Sequence, residues 1–127
     1  MTETRTVLVT GAAGFIGYFT CLRLLKDGFR VVGIDSLSDY YDPELKRRRQ
    51  QALLQHQSFS VVNERIETPG LLADLFARHA PDIVVHLAAQ AGVRYSIDNP
   101  RSYLESNLVG TFELLEAARW NPPQHML

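Results

Sequence analysis

Apolar residues along the chain follow two alternating patterns. Short continuous runs rich in β-branched residues read as strands buried on both faces. They are Thr6-Val7-Leu8-Val9-Thr10, Val31-Val32-Gly33-Ile34, Phe59-Ser60-Val61-Val62 and Ile83-Val84-Val85-His86-Leu87. Between them the apolar residues recur at helical spacing. Phe15, Ile16, Phe19, Leu22 and Leu25 predict a helix from Gly14 to Asp27, and Gly28 stands where a helix-ending glycine is expected. After a polar and aromatic loop from Ser36 to Asp42, Pro43 suits the first turn of a helix over Glu44 to His56. Pro69-Gly70 opens a third helix through Leu72, Leu75 and Phe76 to His79, and Pro81-Asp82 turns the chain. Asn99-Pro100 caps and opens a long helix to Trp120, with Leu104, Leu108, Phe112 and Leu115 on its apolar face. Asn121-Pro122-Pro123 stops it, and His125-Met126-Leu127 reads as the start of one more strand. Strands alternating with helices predict an α/β fold with a doubly wound parallel sheet.

Composition narrows the class without changing that picture. A chain of 127 residues that is 46% hydrophobic suits one globular domain with its own core. Thirteen basic against fourteen acidic residues give a net charge of −1, so neither nucleic acid nor an anionic membrane is an expected partner. The run Lys46-Arg47-Arg48-Arg49 reads as a solvated helix face. Cys21 is the single cysteine, which excludes an internal disulfide and a multi-cysteine metal site; no metal is expected. It reads as a small buried hydrophobe. No apolar run nears the roughly 18 residues of a membrane span. Met1-Thr2-Glu3-Thr4-Arg5 lacks the apolar stretch of a signal peptide, so the expected location is the cytoplasm.

The candidate chemistry lies between the first strand and the first helix. Thr10-Gly11-Ala12-Ala13-Gly14-Phe15-Ile16-Gly17 spaces its glycines as G-x-x-G-x-x-G. Gly11 allows the tight turn, Gly14 lets the backbone approach a pyrophosphate, and Gly17 lets the helix close on the sheet. The helix N-terminus presents free N–H groups to the phosphates. Asp35, ending the second strand, is placed to accept two hydrogen bonds from an adenosine ribose, and its charge favours NAD over NADP.

This fingerprint, together with His86-Leu87-Ala88-Ala89-Gln90-Ala91-Gly92, resembles the extended short-chain dehydrogenase/reductase superfamily, the NAD-dependent epimerases and dehydratases. Asp35-Ser36-Leu37-Ser38-Asp39-Tyr40-Tyr41-Asp42, Val93-Arg94-Tyr95-Ser96 and Asn107-Leu108-Val109-Gly110-Thr111 are most similar to the UDP-glucuronate 4-epimerase branch of the nucleotide-sugar epimerases. The resemblance implies a Rossmann-type sheet, cut at the start of strand five, with residues 1–127 as the NAD-binding part and the substrate domain absent. It implies that Gly11, Gly14, Gly17 and the amides of Phe15 and Ile16 hold the pyrophosphate, and that Asp35 holds the ribose. It further implies that the backbone of Ile66 contacts the adenine and that Leu87, Ala88, Ala89 and Gln90 line the cofactor. By the same resemblance Val93, Arg94 and Ser96 are expected to approach a UDP-sugar, and Asn107 to prop the site through backbone hydrogen bonds. By residue type alone, Ala88 and Ala89 also suit packing, Asn107 a core amide, Arg94 plain surface, and His86 a strand-end core histidine. At the third strand the family commonly has an Asp before the apolar residue; here Arg65-Ile66 follows Glu64.

The family's reaction needs a tyrosine with a lysine four residues later, the tyrosine acting as base on the sugar C4 hydroxyl. Tyr18, Tyr40, Tyr41, Tyr95 and Tyr103 are followed at that distance by Leu22, Glu44, Leu45, Asn99 and Asn107. The chain thus carries no catalytic pair, and no turnover is expected of it. An epimerase is the leading reading; a sugar-nucleotide 4,6-dehydratase and a non-catalytic dinucleotide-binding module are the alternatives. The open sheet edge at strand four predicts homo-oligomers.

Overall fold

Val7 and Val9 of the first strand join one core and Leu8 joins the other, and all three are fully buried. That alternation is what a sheet covered on both faces requires. The structure, a computed structural model, describes residues 4–39 and 42–127. Tyr40 and Tyr41 of the motif that begins at Asp35 lie outside the described residues, as do Met1 to Glu3.

Strands β1 (Thr6–Thr10), β2 (Arg30–Ile34), β3 (Phe59–Val62), β4 (Ile83–His86) and β5 (His125–Met126) form one sheet of order β3-β2-β1-β4-β5. All pairings are parallel, with Thr10 opposite Ile34 on one side and His86 on the other. Each predicted strand is present, displaced by at most one residue at an end, but strand four is not the open edge expected: β5 pairs with it, and the edges are β3 and β5. Helices α1 (Phe15–Lys26) and α2 (Pro43–Leu54) cover the face that buries Val7, Val9, Cys21, Val31, Leu53 and Phe59. Helices α3 (Leu71–His79) and α6 (Gly110–Trp120) cover the opposite face over Leu8, Ile34, Leu72, Phe76, Val84 and Leu114. Each such large side chain contributes roughly 1.5–3 kcal/mol of burial.

Between β4 and α6 the chain departs from the predicted single helix. A short helix α4 (Val93–Asp98), which the periodicity did not reveal, precedes α5 (Pro100–Tyr103). A π-helical segment, Leu104–Val109, then joins α5 to α6. Asn99 precedes α5 without capping it; its Nδ2 donates to the Tyr95 hydroxyl.

One apolar stripe, and part of a second, point the other way. Leu104, Leu108, Phe112 and Leu115 are exposed, while Gly110, Leu114 and Ala117 face the core. On α1 Leu22 and Leu25 pack against the core as expected, beside the buried Gly17 and Cys21, but Phe15, Ile16 and Phe19 are exposed. The reason is closeness. A Cβ on Gly17 would lie 1.9 Å from the Gly11 carbonyl oxygen, and one on Gly110 would lie 2.5 Å from Ile66 Cδ1. These helices approach through their small residues, so the bulky stripe is turned out.

Candidate functional site

The crevice opens where β1 parts company with β4 at their C-terminal ends, the point at which the strand order reverses. It has a volume of about 510 Å³. Gly11, Gly14, Asp35, Ser36 and Lys46 line one wall, and Leu87, Ala88, Ala89, Gln90 and Ser102 the other, with Ile66 between.

The glycine wall follows from backbone sterics. Gly11 turns off β1 at φ +75°, and a Cβ there would meet the Ala88 amide nitrogen at 3.0 Å. The two walls therefore touch at their base. The Gly11 amide donates to the Ile34 carbonyl at 2.7 Å, which seats the loop on β2. Gly14 precedes α1 with no side chain capping the helix, so the first amides, those of Phe15 and Ile16 among them, are free of intrahelical acceptors. The Phe15 and Ile16 side chains point to solvent.

Asp35 is 5% exposed and already engaged. Its Oδ2 accepts from the Ala13 amide at 2.9 Å; its Oδ1 accepts from the Leu37 amide at 2.8 Å and from Lys46 Nζ at 3.2 Å. A carboxylate offers about four acceptor directions, so among the described residues one is left, on Oδ2, where two ribose hydroxyls were expected. The Lys46 ammonium also offsets the negative charge invoked against a 2′-phosphate. This corrects the reading of the basic run as a solvated face. Arg47 and Arg48 do sit outside, paired with Glu44. Lys46 and Arg49, three residues apart, point inward, and Arg49 donates to the Ala13 carbonyl at 3.2 Å. Their spacing on one helix face was the available signal.

The facing wall hangs from the helix beyond it. Asn107, in the π segment, accepts from the Gln90 amide at 2.8 Å and donates back to the Gln90 carbonyl at 3.2 Å. The Tyr103 hydroxyl donates to the Ala91 carbonyl and toward that of Gly92. Val93 and Arg94 are exposed on α4, and the Ser96 hydroxyl donates to the Val93 carbonyl within that helix. None of these three lines the crevice; Tyr95 from the same turn does. At the exit of β3, Ile66 is 5% exposed against Gly110. Arg65 pairs with the buried Oε2 of Glu67 at 3.7 Å, and among the described residues that oxygen has no hydrogen-bond partner.

His86 ends β4 half-buried, between Thr10 at 2.7 Å and Thr111 at 3.3 Å. Burial holds its pKa below the ordinary value. Burial pushes the Cys21 thiol up to about 12, so it is an inert core residue. Among the described residues no group of acidic, histidine and cysteine side chains could hold a metal, and no helix is long and apolar enough to cross a membrane.

A profile of the family described as GDP-mannose 4,6 dehydratase matches residues 8–125. A probable UDP-glucuronate 4-epimerase of Rhizobium meliloti is 42% identical over 120 residues, 94% of this chain and 35% of that protein. UDP-glucuronate 4-epimerase 6 of Arabidopsis thaliana is 50% identical over 119 residues, 94% of this chain and 26% of its own length. The crystal structure of the UDP-glucuronic acid 4-epimerase from Bacillus cereus, in complex with UDP-glucuronic acid and NAD, superposes with a TM-score of 0.87 at 36% identity. The match covers 95% of this chain and 38% of that one. The chain thus spans between 26% and 35% of the length of these curated relatives.

Proposed function

This chain belongs to the GDP-mannose 4,6 dehydratase family, and from that premise we propose that it is the cofactor-binding part of an NAD-dependent nucleotide-sugar epimerase acting at C4 of UDP-glucuronate. The observation that carries this reading is the base of the crevice, where Gly11 lies directly against Ala88 beside the uncapped start of α1. That geometry fits a dinucleotide. Small residues on both walls leave room for a pyrophosphate, and the amides of Phe15 and Ile16 are placed to donate to it. Asp35 keeps one acceptor for a ribose hydroxyl on Oδ2. The backbone at Ile66 is placed for the adenine, and Leu87 to Gln90 flank the path toward the sugar. NAD held there would supply a hydride acceptor for C4 of the sugar and the donor that returns it to the opposite face.

These residues bind and orient; none removes the C4 hydroxyl proton. The chain has no Tyr-x-x-x-Lys, so we expect no epimerisation of UDP-glucuronate by these 127 residues. Val93, Arg94 and Ser96 remain assigned to the sugar-nucleotide side, by resemblance. A 4,6-dehydratase on a sugar nucleotide is the second reading, favoured by the description of the matching family. The exposed strips Leu104 to Leu115 and Phe15 to Phe19 support homo-oligomers, and the reading as a whole fits a cytoplasmic protein.

Titration calorimetry of the chain with NAD and NADP tests the proposal. Binding of NAD is expected, weak because much of the relatives' length lies outside this chain, with NADP weaker still. Tight NADP binding without NAD binding would refute the role of Asp35, and turnover of UDP-glucuronate by the chain would refute the division of labour.

A further inference from the structure

The hydroxyl of Thr10 sits where three groups converge at the base of the crevice. The Ala88 amide donates to Thr10 Oγ1 at 3.0 Å, and the Leu87 amide is shared between Oγ1 at 3.0 Å and the Thr10 main-chain oxygen at 3.2 Å. A hydroxyl has one proton and two lone pairs. With both lone pairs facing amides, the proton is directed at the remaining neighbour, His86 Nδ1 at 2.7 Å. Nδ1 must then be bare, and the neutral ring carries its proton on Nε2, which faces Thr111 Oγ1 at 3.3 Å. Thr10 is fully buried, so water does not compete for this arrangement.

We propose, resting on the reading of the crevice as a dinucleotide site, that His86 is a positioning residue: as the Nε2–H tautomer it holds the Thr10 hydroxyl so that one oxygen anchors the Leu87 and Ala88 amides against the glycine loop. The effect reaches the site because Gly11 follows Thr10 directly and leaves no room for a Cβ, which would meet the Ala88 amide nitrogen at 3.0 Å. Through Thr111 the same ring ties the crevice base to α6. His86 touches neither cofactor nor sugar in this assignment. An Nδ1–H tautomer would face the Thr10 oxygen with a third donor, and the Leu87 amide would have to fall back on the Thr10 main-chain oxygen alone, loosening the Oγ1 anchor. The main chain of His86 is held separately, its amide donating to the Leu127 main-chain oxygen at 2.8 Å, so the side chain is free for this role.

Long-range proton–nitrogen correlation spectra of the unaltered chain near pH 7.5 read the tautomer directly. A protonated Nε2 with a bare Nδ1 is expected; a protonated Nδ1 overturns the proposal. His86→Asn keeps an acceptor toward Thr10, whereas His86→Ala removes it. NAD is expected to bind His86→Ala about ten-fold more weakly, with His86→Asn recovering most of that loss. Exchange of the Ala88 amide is expected to quicken about ten-fold in His86→Ala and to stay slow in His86→Asn. Unchanged Ala88 exchange in His86→Ala overturns the proposal. If His86→Ala does not fold, the tautomer of the unaltered chain and the exchange rate in His86→Asn still decide. If no form of the chain binds NAD, the cofactor reading fails, while the tautomer and the Ala88 exchange judge His86 independently.

Discussion

On one side of the crevice the glycine loop is pinned from several directions: the Ala13 amide by Asp35, the Ala13 carbonyl by Arg49, the Gly11 amide by Ile34. On the other side residues 90 to 92 hang from Asn107 and Tyr103, and Ala91 and Gly92 are themselves exposed. The first wall is set by van der Waals limits and buried polar contacts, which water does not replace. Beyond Leu87 and Ala88, which Thr10 holds in the interior, the second is tethered by hydrogen bonds at the surface, where water competes for donors and acceptors. The glycine wall is therefore the more firmly built of the two.

Replacing Gly17 by Ala is the hardest blow to the glycine wall. The new Cβ would stand 1.9 Å from the Gly11 carbonyl oxygen, so α1 must move away from the glycine loop. A loss of about 3 kcal/mol is expected in denaturant unfolding. A loss below about 0.5 kcal/mol would remove the steric account of this wall. Asn107→Ala tests the tether. It cuts both bonds to Gln90, yet the residue is exposed, so the expected cost is about 1 kcal/mol of stability. Exchange of the Gln90 amide should quicken while that of Gly11 stays slow. Equal acceleration on both sides would mean that the walls are one cooperative unit.

The smallest expected effect concerns the joint between the walls. Burial lowers the folded pKa of His86 from 6.5, so the unfolded chain takes up the proton first as pH falls. The stability that depends on the neutral ring is present above about pH 6.5 and is lost as pH falls from there through the folded pKa. Unfolding curves at pH 7.5 and 5.5 should show a larger acid loss for the unaltered chain than for His86→Asn. Equal losses would place the acid sensitivity in other groups.

Strand positions, the helix after the glycine loop and the steric jobs of Gly11 and Gly17 were legible in the sequence. Each depends on neighbours close along the chain: a β-branched run, a helical repeat, a turn that only glycine makes. The direction of a stripe was not legible. Periodicity marks Leu104, Leu108, Phe112 and Leu115 as one face, but the closeness of α6 to Ile66 and the π segment before it turn that face outward. The roles of Lys46 and Arg49 were hidden for a similar reason, since Arg49 meets Ala13 across 36 residues.

Local preference and repeat thus determine which segments are strand or helix and where a phosphate could approach. Tertiary packing decides which side of a helix meets the sheet, how many acceptors Asp35 has left, and that His86 answers to a threonine 76 residues away. The physical reason is range. Backbone propensity and spacing act within a few residues, whereas hydrogen-bond valence and close approach are settled only when distant segments occupy the same few ångströms.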